Sequence, residues 1–576
     1  MIKRYFTYTK KYRAPLIGSI VCVLTECLFE LVIPMLMADL VDVGVANKDV
    51  QYVMVRSIAM VACALISLAL GVVYARLAAI ASQGFGAELR RAEFKKVQAF
   101  SFSNMDHFQN SSLVTRLTSD VTVLQNALSG GMRPLLRGVA MMIMGLVLAL
   151  RINAQLALVF VVALPILAIA LFFIANRLRP MYGKLQRAID RVNAIVQENL
   201  IAIRVVKAYV RKDYECEKFE EVNKSLQDTS QTAFSTAVLN APVFQAVMYA
   251  TIIGLLWFGG NLVYVGGLKV GELTGFLSYV MLILNSLMMI SAVFLLLTRS
   301  IASGLRILEV MDEKIDIEDE DTSVPASVKN GSIEFSHVYF KYSVDAAEYV
   351  LSDINLNIQP GQTVGIIGGT GSAKSSLVQL IPRLYDITSG SLLIDGRDIK
   401  EYPVAHLRDA IGMVLQKNTL FTGTVKENLM WGNPGATQDD IEWDCHVAAA
   451  DEFIQKLPNG YDTELGQGGN NVSGGQKQRL CIARALLKLP KVLIFDDSTS
   501  AVDTATEAHI REGLAAALPH TTKIIIAQRI SSVEHADQIV ILDDGQVNAV
   551  GTHDQLLQNN NIYQEIFNAQ KKGALA

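Results

Sequence analysis

The chain has 576 residues, of which 51% are hydrophobic and only 18% are charged, and its mean hydropathy is positive. This balance is unusual for a soluble protein of this length and indicates a membrane protein. The formal net charge of −4 gives no surplus of cations for neutralising a phosphate backbone, so we expect no nucleic-acid partner.

The N-terminal half contains hydrophobic runs long enough to cross the roughly 30 Å hydrocarbon core of a bilayer. Six such runs are predicted as transmembrane helices, at 16–37, 58–81, 135–150, 156–175, 243–265 and 273–298. Lysine and arginine crowd the N-terminus and the segments 81–133 and 176–240, which predicts that all three are cytoplasmic. Apolar residues recur at helical spacing in both segments, so we expect two long helical extensions. The chain is predicted to be a multi-pass protein of the cell membrane, embedded in the lipid bilayer.

Two acidic residues interrupt the first hydrophobic run. Glu26 and Glu30 are one helical turn apart and therefore share one face of the helix. Ionisable groups at such depth are costly and usually face a cavity or a partner. One hypothesis is that they attract cationic amphipathic substrates. The alternative is that they pair with polar groups on neighbouring helices or lie near the outer interface, and the sequence leaves both open.

An acidic and polar stretch at 312–330 is predicted to link a membrane domain at 1–311 to a C-terminal domain at 331–576. After it, short β-branched and apolar runs alternate with helical stretches, which is typical of an α/β domain with buried strands. The predicted strands are 332–335, 363–367, 492–495, 523–527 and 538–542. The predicted fold is an all-α polytopic membrane domain fused to an α/β domain.

A loop with the pattern of a phosphate-binding P-loop follows the strand at 363–367. The loop and the start of the next helix comprise Gly368, Gly369, Thr370, Gly371, Ser372, Ala373, Lys374, Ser375 and Ser376. Glycines let backbone N–H groups converge on phosphate oxygens, Lys374 reaches the outer phosphates, and the Ser375 hydroxyl is expected to ligate Mg²⁺. Ala373 replaces the glycine that normally precedes the lysine. Its methyl group costs little if the local φ is already helical, so we expect nucleotide binding to be retained.

The strand at 492–495 is followed by Asp496. In P-loop NTPases an aspartate at this position holds Mg²⁺ directly or through water. The alternative interpretation is a helix-capping aspartate, and the strand-end placement favours the metal. ATP and Mg²⁺ are therefore the predicted cofactors.

The stretch 472–476 reads Val-Ser-Gly-Gly-Gln and is followed by Lys477, Gln478 and Arg479. It resembles the signature of the ABC transporter superfamily, and the resemblance covers the whole chain. In that family the signature of one subunit closes over the nucleotide held by the P-loop of the other, against the γ-phosphate. The resemblance implies this role for Ser473, Gly474, Gly475 and Gln476. It also implies that a second nucleotide-binding domain is obligatory.

The same resemblance implies further roles. Tyr342 is similar to the aromatic residue that stacks on adenine, and Gln416 to the Q-loop glutamine that senses Mg²⁺ and contacts the membrane domain. Residues 500–503, ending at Asp503, are similar to the D-loop. The membrane half is similar to the exporter branch, with six helices before the nucleotide domain. Short coupling helices are expected near 102–108 and 212–219, and the alternative is that these are solvated helical faces.

Two positions depart from the catalytic pattern of the family. The residue after the metal-binding aspartate is usually a glutamate that polarises the attacking water, and here it is Asp497, one methylene shorter. Positioning errors near 1 Å cost about a hundredfold in rate. Gln528 replaces the switch-loop histidine and cannot become a cation. Together with Ala373, these changes predict a site that binds ATP but hydrolyses it poorly.

An intact signature beside a weakened catalytic site indicates a heterodimer. A homologous ABC half-transporter would supply the complete P-loop, glutamate and histidine, so that the main hydrolysis takes place at the site whose P-loop is in the partner. The pattern resembles the degenerate-site subunit of heterodimeric multidrug ABC exporters of Gram-positive bacteria. That resemblance implies ATP-driven export of hydrophobic or amphipathic compounds by alternating access. The alternatives are a homodimeric lipid or drug exporter with slow ATPase, and a non-transporting ATP-gated channel or regulatory subunit.

Overall fold

The computed structural model describes residues 2–318, 326–343, 345–497 and 504–575. Contacts divide the chain into two compact units, Met1–Gln98 with Asn110–Asp312 and Ala99–Gln109 with Glu313–Ala576. The short stretch Ala99–Gln109 therefore belongs to the second unit, although it lies early in the chain. The predicted linker at 312–330 stays a prediction, because 319–325 lie outside the described residues.

The first unit is built of helices. In chain order up to residue 312, the helices are α1 (Ile2–Tyr8), α2 (Arg13–Asp39), α3 (Val50–Gln98), α4 (Phe102–His107), α5 (Asn110–Thr115), α6 (Val121–Asn126), α7 (Met132–Ile152), α8 (Ala154–Ile201), α9 (Ile203–Ala208), α10 (Lys212–Val238), α11 (Asn240–Tyr264) and α12 (Val270–Asp312), of which α4 belongs to the second unit. Turns of π-helix at Leu40–Val45, Arg116–Asp120 and Ala127–Gly131 continue their neighbours.

Six helical stretches in the described residues are long and apolar enough to cross a membrane. They are Lys10–Val45, Val50–Gln98, Asn110–Ile152, Ala154–Ile201, Lys212–Tyr264 and Val270–Asp312. Each coincides with one of the six predicted runs to within one residue at its ends or encloses it, so the predicted spans are confirmed. Several helices continue well past their apolar runs and form the predicted extensions.

The first of the two predicted short helices is confirmed as α4, and the second is wrong. Lys212 begins the 27-residue helix α10, and the short helix before it is α9, at Ile203–Ala208. The break lies at Val210, whose φ of 53° is incompatible with a right-handed helix. The spacing of the apolar residues of α9 is helical in both arrangements, so the sequence does not distinguish α9 from the preceding extension.

The second unit contains a predominantly parallel sheet. The strands of this unit are β1 (Ile333–Phe340), β2 (Leu351–Ile358), β3 (Thr363–Ile367), β4 (Ser389–Ile394), β5 (Arg397–Asp398), β6 (Ile411–Val414), β7 (Gly423–Thr424), β8 (Glu464–Leu465), β9 (Val492–Asp496), β10 (Thr522–Ile526), β11 (Gln538–Asp543) and β12 (Gln546–Gly551). The larger sheet has the order β12-β11-β3-β10-β9-β6, with β12 antiparallel, and an antiparallel sheet has the order β2-β1-β4-β5. The five predicted strands correspond to β1, β3, β9, β10 and β11.

Helices cover the larger sheet and form a separate helical lobe. They are α13 (Lys374–Leu380), α14 (Val404–Asp409), α15 (Val425–Leu429), α16 (Gln438–Val447), α17 (Asp451–Gln455), α18 (Gly474–Leu486), α19 (Thr504–Ala517), α20 (His553–Asn559) and α21 (Asn561–Leu575). All five residues of β9 are buried, as expected for a central parallel strand covered on both faces. The polar loops therefore lie at the ends of buried apolar strands, and these loops form the candidate site.

Candidate nucleotide site

Four loops meet at the carboxyl edge of the larger sheet. Ile526 of β10 lies in register with Ile366 of β3 on one side and with Asp496 of β9 on the other. Parallel strands in register end together, so the loops that follow them lie side by side. The P-loop follows β3, Gln528 follows β10, and Asp497 follows β9 directly. Gln416 is two residues beyond β6, which pairs with β9, and its side chain is exposed.

The P-loop curls around the ammonium group of Lys374. Its Nζ donates hydrogen bonds to the carbonyl oxygens of Gly368 at 2.9 Å and Gly369 at 2.7 Å. Burial lowers the pKa of Lys374, and the carboxylates of Asp497 and Asp496 oppose that shift. Gly368 is required by space, because a Cβ there would lie 2.1 Å from the carbonyl oxygen of Leu542. The loop is therefore held in a phosphate-cradling shape by its own lysine and by close packing.

Ala373 is the N-cap of α13 and has φ 67° and ψ 23°, which is a left-handed conformation. The condition under which alanine would cost little, an already helical φ, is therefore not met. A residue with a Cβ pays roughly 1–2 kcal/mol in this region, whereas glycine adopts it freely. The loop turns into the helix through this position, which explains why a glycine normally stands there. Alanine stores backbone strain next to the lysine.

Ser375 and Asp496 fit a magnesium ion. The Ser375 Oγ donates to Asp496 Oδ1 at 2.6 Å, and Asp496 is 2% exposed. Burial raises the pKa of Asp496, and the hydrogen bond from Ser375 opposes this shift. A hydroxyl and a carboxylate are the hard oxygen ligands that Mg²⁺ prefers, and Mg²⁺ sites usually use few protein ligands together with substrate phosphates. The two residues predicted to hold the metal are therefore in contact.

The two altered catalytic positions are bonded to each other. Gln528 Nε2 donates a hydrogen bond to Asp497 Oδ2 at 2.5 Å. Asp497 also has a positive φ of 48°, an uncommon conformation for a residue with a side chain. An amide that binds the carboxylate in this way competes with any water that the carboxylate would polarise.

Tyr342 offers an aromatic surface beside the P-loop helix. Its hydroxyl shares a 2.8 Å hydrogen bond with the Ser376 hydroxyl, and the residue is 45% exposed. The ring packs edge-on against Phe340 and Tyr385, with centroids 4.9 and 5.0 Å away. These contacts fix the ring while leaving part of it open to a stacking base.

Sequence reasoning missed Tyr385, which connects this aromatic group to α4. The Tyr385 hydroxyl donates to Asp106 Oδ2 at 2.8 Å, and its ring lies 6.0 Å from that of Phe102. Burial and, to a smaller extent, the hydrogen bond to Asp106 raise the pKa of Tyr385. No spacing in the sequence indicates a contact between positions this far apart. Helix α4, which is expected to dock on a nucleotide domain, thus makes a specific aromatic contact within the second unit.

The signature residues form the N-terminus of α18, a helix of 13 residues. The Gln476 backbone N–H donates to Ser473 Oγ at 3.3 Å, and the Ser473 N–H donates to Gln476 Oε1 at 2.8 Å. This reciprocal capping box stabilises the first turn. Ser473 and Gly474 are exposed, so the positive end of the helix faces solvent. The remaining predicted site residue, Asp503, lies outside the described residues.

Glu26 and Glu30 are ion-paired within the first unit. Glu26 Oε1 accepts hydrogen bonds from Arg133 Nη2 at 2.7 Å and from Arg137 Nη1 at 3.0 Å. Arg137 Nη2 donates to both carboxylate oxygens of Glu30, at 2.8 and 2.7 Å. The structure therefore agrees with the alternative in which these acids pair with polar groups on a neighbouring helix. Attraction of a cationic cargo stays a hypothesis. The matching four-residue spacing of the arginines was the signal that could have revealed the pairs.

Comparisons with known proteins agree with this geometry. Residues 16–287 match the model of the ABC transporter transmembrane region, and residues 351–500 match the model of the ABC transporter family. The uncharacterised ABC transporter ATP-binding protein YfiB of Bacillus subtilis is 38% identical over 569 residues, which cover 99% of this chain and 98% of YfiB. A Staphylococcus aureus protein, provisionally named a multidrug export ATP-binding/permease protein, is 32% identical over 588 residues, covering 99% and 100%.

A solved structure of another protein is similar to this chain over nearly its whole length. The ATP-bound structure of a bacterial Atm1-family ABC exporter has a TM-score of 0.82 and 26% identity, covering 97% of this chain and 99% of that one. With six apolar helices and this fold, the molecule is a multi-pass membrane protein with its ATPase domain in the cytoplasm.

Proposed function

Because this chain belongs to the ABC transporter family and is an exporter half-transporter with membrane and ATPase domains, we propose that it works as one half of a heterodimer. The observation that carries the proposal is the contrast between its two phosphate-facing elements. Ala373, Asp497 and Gln528 all depart from the pattern of an active site, whereas the signature at Ser473 is complete and capped. Two copies of this chain would contain two weakened sites.

In the proposal, the P-loop of this chain holds ATP without turning it over efficiently. Lys374 and the backbone of the loop bind the phosphates, and Ser375 and Asp496 hold Mg²⁺, which would neutralise phosphate charge. The hydrogen bond between Gln528 and Asp497 supports slow hydrolysis, since the shorter carboxylate is already engaged. The bound nucleotide then acts mainly to keep the two nucleotide domains together.

The main hydrolysis would take place on the P-loop of a homologous partner. Ser473, Gly474 and Gly475 of this chain would close on the γ-phosphate there, with the exposed helix N-terminus favouring the developing negative charge. Closure and reopening of the nucleotide domains would drive alternating access of the membrane helices. The name of the Staphylococcus aureus relative supports hydrophobic or amphipathic compounds as the cargo.

The proposal is tested with the purified chain alone, after its homodimeric state has been verified by mass. We expect little vanadate-sensitive Mg-ATPase activity. The double variant Asp497→Glu/Gln528→His would restore both catalytic positions and should raise turnover at least about tenfold, equivalent to about 1.4 kcal/mol. A gain of activity cannot result from misfolding. The control Asp497→Glu/Gln528→Asn restores only the carboxylate and should gain less.

Robust turnover by the unmodified homodimer would contradict the heterodimer and establish the alternative, a homodimeric exporter. Failure of the double variant to gain activity would show that Asp497 and Gln528 do not limit hydrolysis.

A further inference from the structure

The N-terminal segment, defined as residues 4–13, is fixed against α3 and α12 of the first unit. The Tyr5 hydroxyl donates to the carbonyl oxygen of Gly304 at 2.6 Å, and its ring packs edge-on against Phe85 at 6.3 Å. The Tyr12 ring lies so close to Gly84 that a Cβ there would be 2.4 Å from it. These contacts determine which side chains of the segment face inward and which remain outside.

The contacts also set the height of the segment relative to the membrane. Gly84 and Phe85 lie three and four residues beyond the apolar run that ends at 81, and Gly304 lies six beyond the run that ends at 298. At 1.5 Å per residue this is about 5–9 Å. The headgroup layer on each side of the hydrocarbon core has a similar thickness of roughly 5–8 Å. The N-terminal segment therefore lies at the level of the cytoplasmic headgroups.

The outward side of the segment is basic and aromatic. Phe6 is 52% exposed, and Lys10 and Arg13 are also exposed. Among the described residues, neither Lys10 nor Arg13 has an ion-pair partner. The other two cations of the segment are compensated, since Arg4 pairs with Asp312 at 2.5 Å and Lys11 lies 3.7 Å from Glu88. Residues 1–13 contain no acidic side chain.

We propose that the N-terminal segment binds the headgroups of anionic phospholipids in the cytoplasmic leaflet. Lys10 and Arg13 are one turn apart and supply two uncompensated positive charges beside the start of the first span. Phe6 supplies an apolar anchor of the kind found in interfacial helices. The chemistry selects a phosphodiester with net negative charge over a zwitterionic headgroup, because only the former leaves a charge for the two cations to neutralise.

The occupant is a lipid rather than a soluble phosphate, because the segment that carries both the cations and the apolar anchor lies at the headgroup level. The segment is also attached to α12 through Tyr5 and Arg4, so a bound lipid stabilises the cytoplasmic end of that helix. This inference does not depend on the heterodimer or on the cargo.

The test counts lipids that stay bound to the purified full-length chain in native mass spectrometry, titrated with dioleoylphosphatidylglycerol or dioleoylphosphatidylcholine. We expect the wild type to prefer phosphatidylglycerol. The variant Lys10→Gln/Arg13→Gln should bind it about 25-fold more weakly, about fivefold for each residue, equivalent to about 1 kcal/mol per cation near an anionic surface. Its binding of phosphatidylcholine should not change.

The control Lys48→Gln/Lys269→Gln removes two exposed lysines outside the segment and the cytoplasmic extensions and should keep the preference. Free glycerol 3-phosphate should not compete, whereas competition equal to that of the lipid would assign the site to a soluble phosphate. In the wild type, salt at about 1 M, where the Debye length is about 3 Å, should abolish the preference. A preference that survives in the Lys10/Arg13 variant, or at high salt, would overturn the proposal.

Discussion

Two elements of the nucleotide domain are proposed to face phosphate groups, and their chemistry differs. At the P-loop edge, Ala373 is held in a left-handed conformation and Gln528 is bonded to Asp497. At the signature, Ser473 and Gln476 form a complete capping box and the helix N-terminus is open to solvent. The departures from the family pattern lie among the residues proposed to act on the domain's own nucleotide, and not among those proposed to act on a partner's. A domain can therefore weaken one of these roles while keeping the other.

The largest effect is expected at the signature. Ser473→Ala removes a hydroxyl from the proposed hydrolysing site, so ATPase of the reconstituted pair should fall at least about tenfold, equivalent to about 1.4 kcal/mol. The matched control is Thr437→Ala, which removes the N-cap of α16 in the same capping-box geometry. Both variants should lose about 1 kcal/mol of stability, measured by thermal unfolding. Equal loss of activity in both would show that the cap, and not the hydroxyl, matters.

An intermediate effect is expected for Lys374→Ala. This variant damages only the P-loop site of this chain, so steady-state ATPase of the pair should fall about threefold, equivalent to roughly 0.7 kcal/mol. Binding of a fluorescent ATP analogue should lose one of two sites. Lys329→Ala, an exposed lysine in the same unit, serves as the charge-matched control. Complete loss of turnover with Lys374→Ala would contradict the division of roles.

A smaller effect is expected for Asp497→Ala. In the proposal this carboxylate performs no essential water activation, so turnover of the pair should change by less than about twofold, within roughly 0.4 kcal/mol. The measurement is steady-state ATPase, with assembly verified by gel filtration. An inactive Asp497 variant together with an active Ser473 variant would show that the proposal places the hydrolysing site in the wrong chain.

The smallest effect on turnover is expected for Ala373→Gly, which changes strain rather than chemistry. Glycine adopts the φ of 67° freely, so the variant should stabilise the nucleotide domain by about 1 kcal/mol. The control is Ala410→Gly, at a residue with φ −80°, where glycine relieves no strain and should not stabilise the domain. Thermal unfolding with and without nucleotide distinguishes the two. Destabilisation by both would show that Ala373 is not strained.

The sequence predicted those parts of the site that depend on local spacing. The P-loop, the strand before it and Asp496 follow from runs of a few residues, and Ser375 indeed contacts Asp496. The left-handed conformation of Ala373 was not predictable in this way, because it depends on how the loop closes onto its helix. The contact of Tyr385 with Asp106 joins positions 279 apart in sequence. Such contacts are decided by tertiary packing, which periodicity does not encode.

The same limit applies to the membrane half. Runs of about 20 apolar residues were enough to predict all six spans, because the thickness of the bilayer fixes the length of a crossing helix. The second short helix was wrong, since Lys212 begins the long helix α10 and Val210 separates it from the short helix α9. The ion pairs of Glu26 and Glu30 required knowledge of which helices are neighbours.

Those ion pairs constrain how this protein can evolve. The acids Glu26 and Glu30 are balanced by Arg133 and Arg137, so losing any single member leaves the group with an uncompensated charge among membrane helices. Breaking a buried pair by removing one partner costs about 3–5 kcal/mol, whereas replacing the whole set with apolar residues is often neutral. Viable routes of divergence therefore exchange an acid and an arginine together. Related sequences with a neutral residue at position 26 should have lost an arginine from α7.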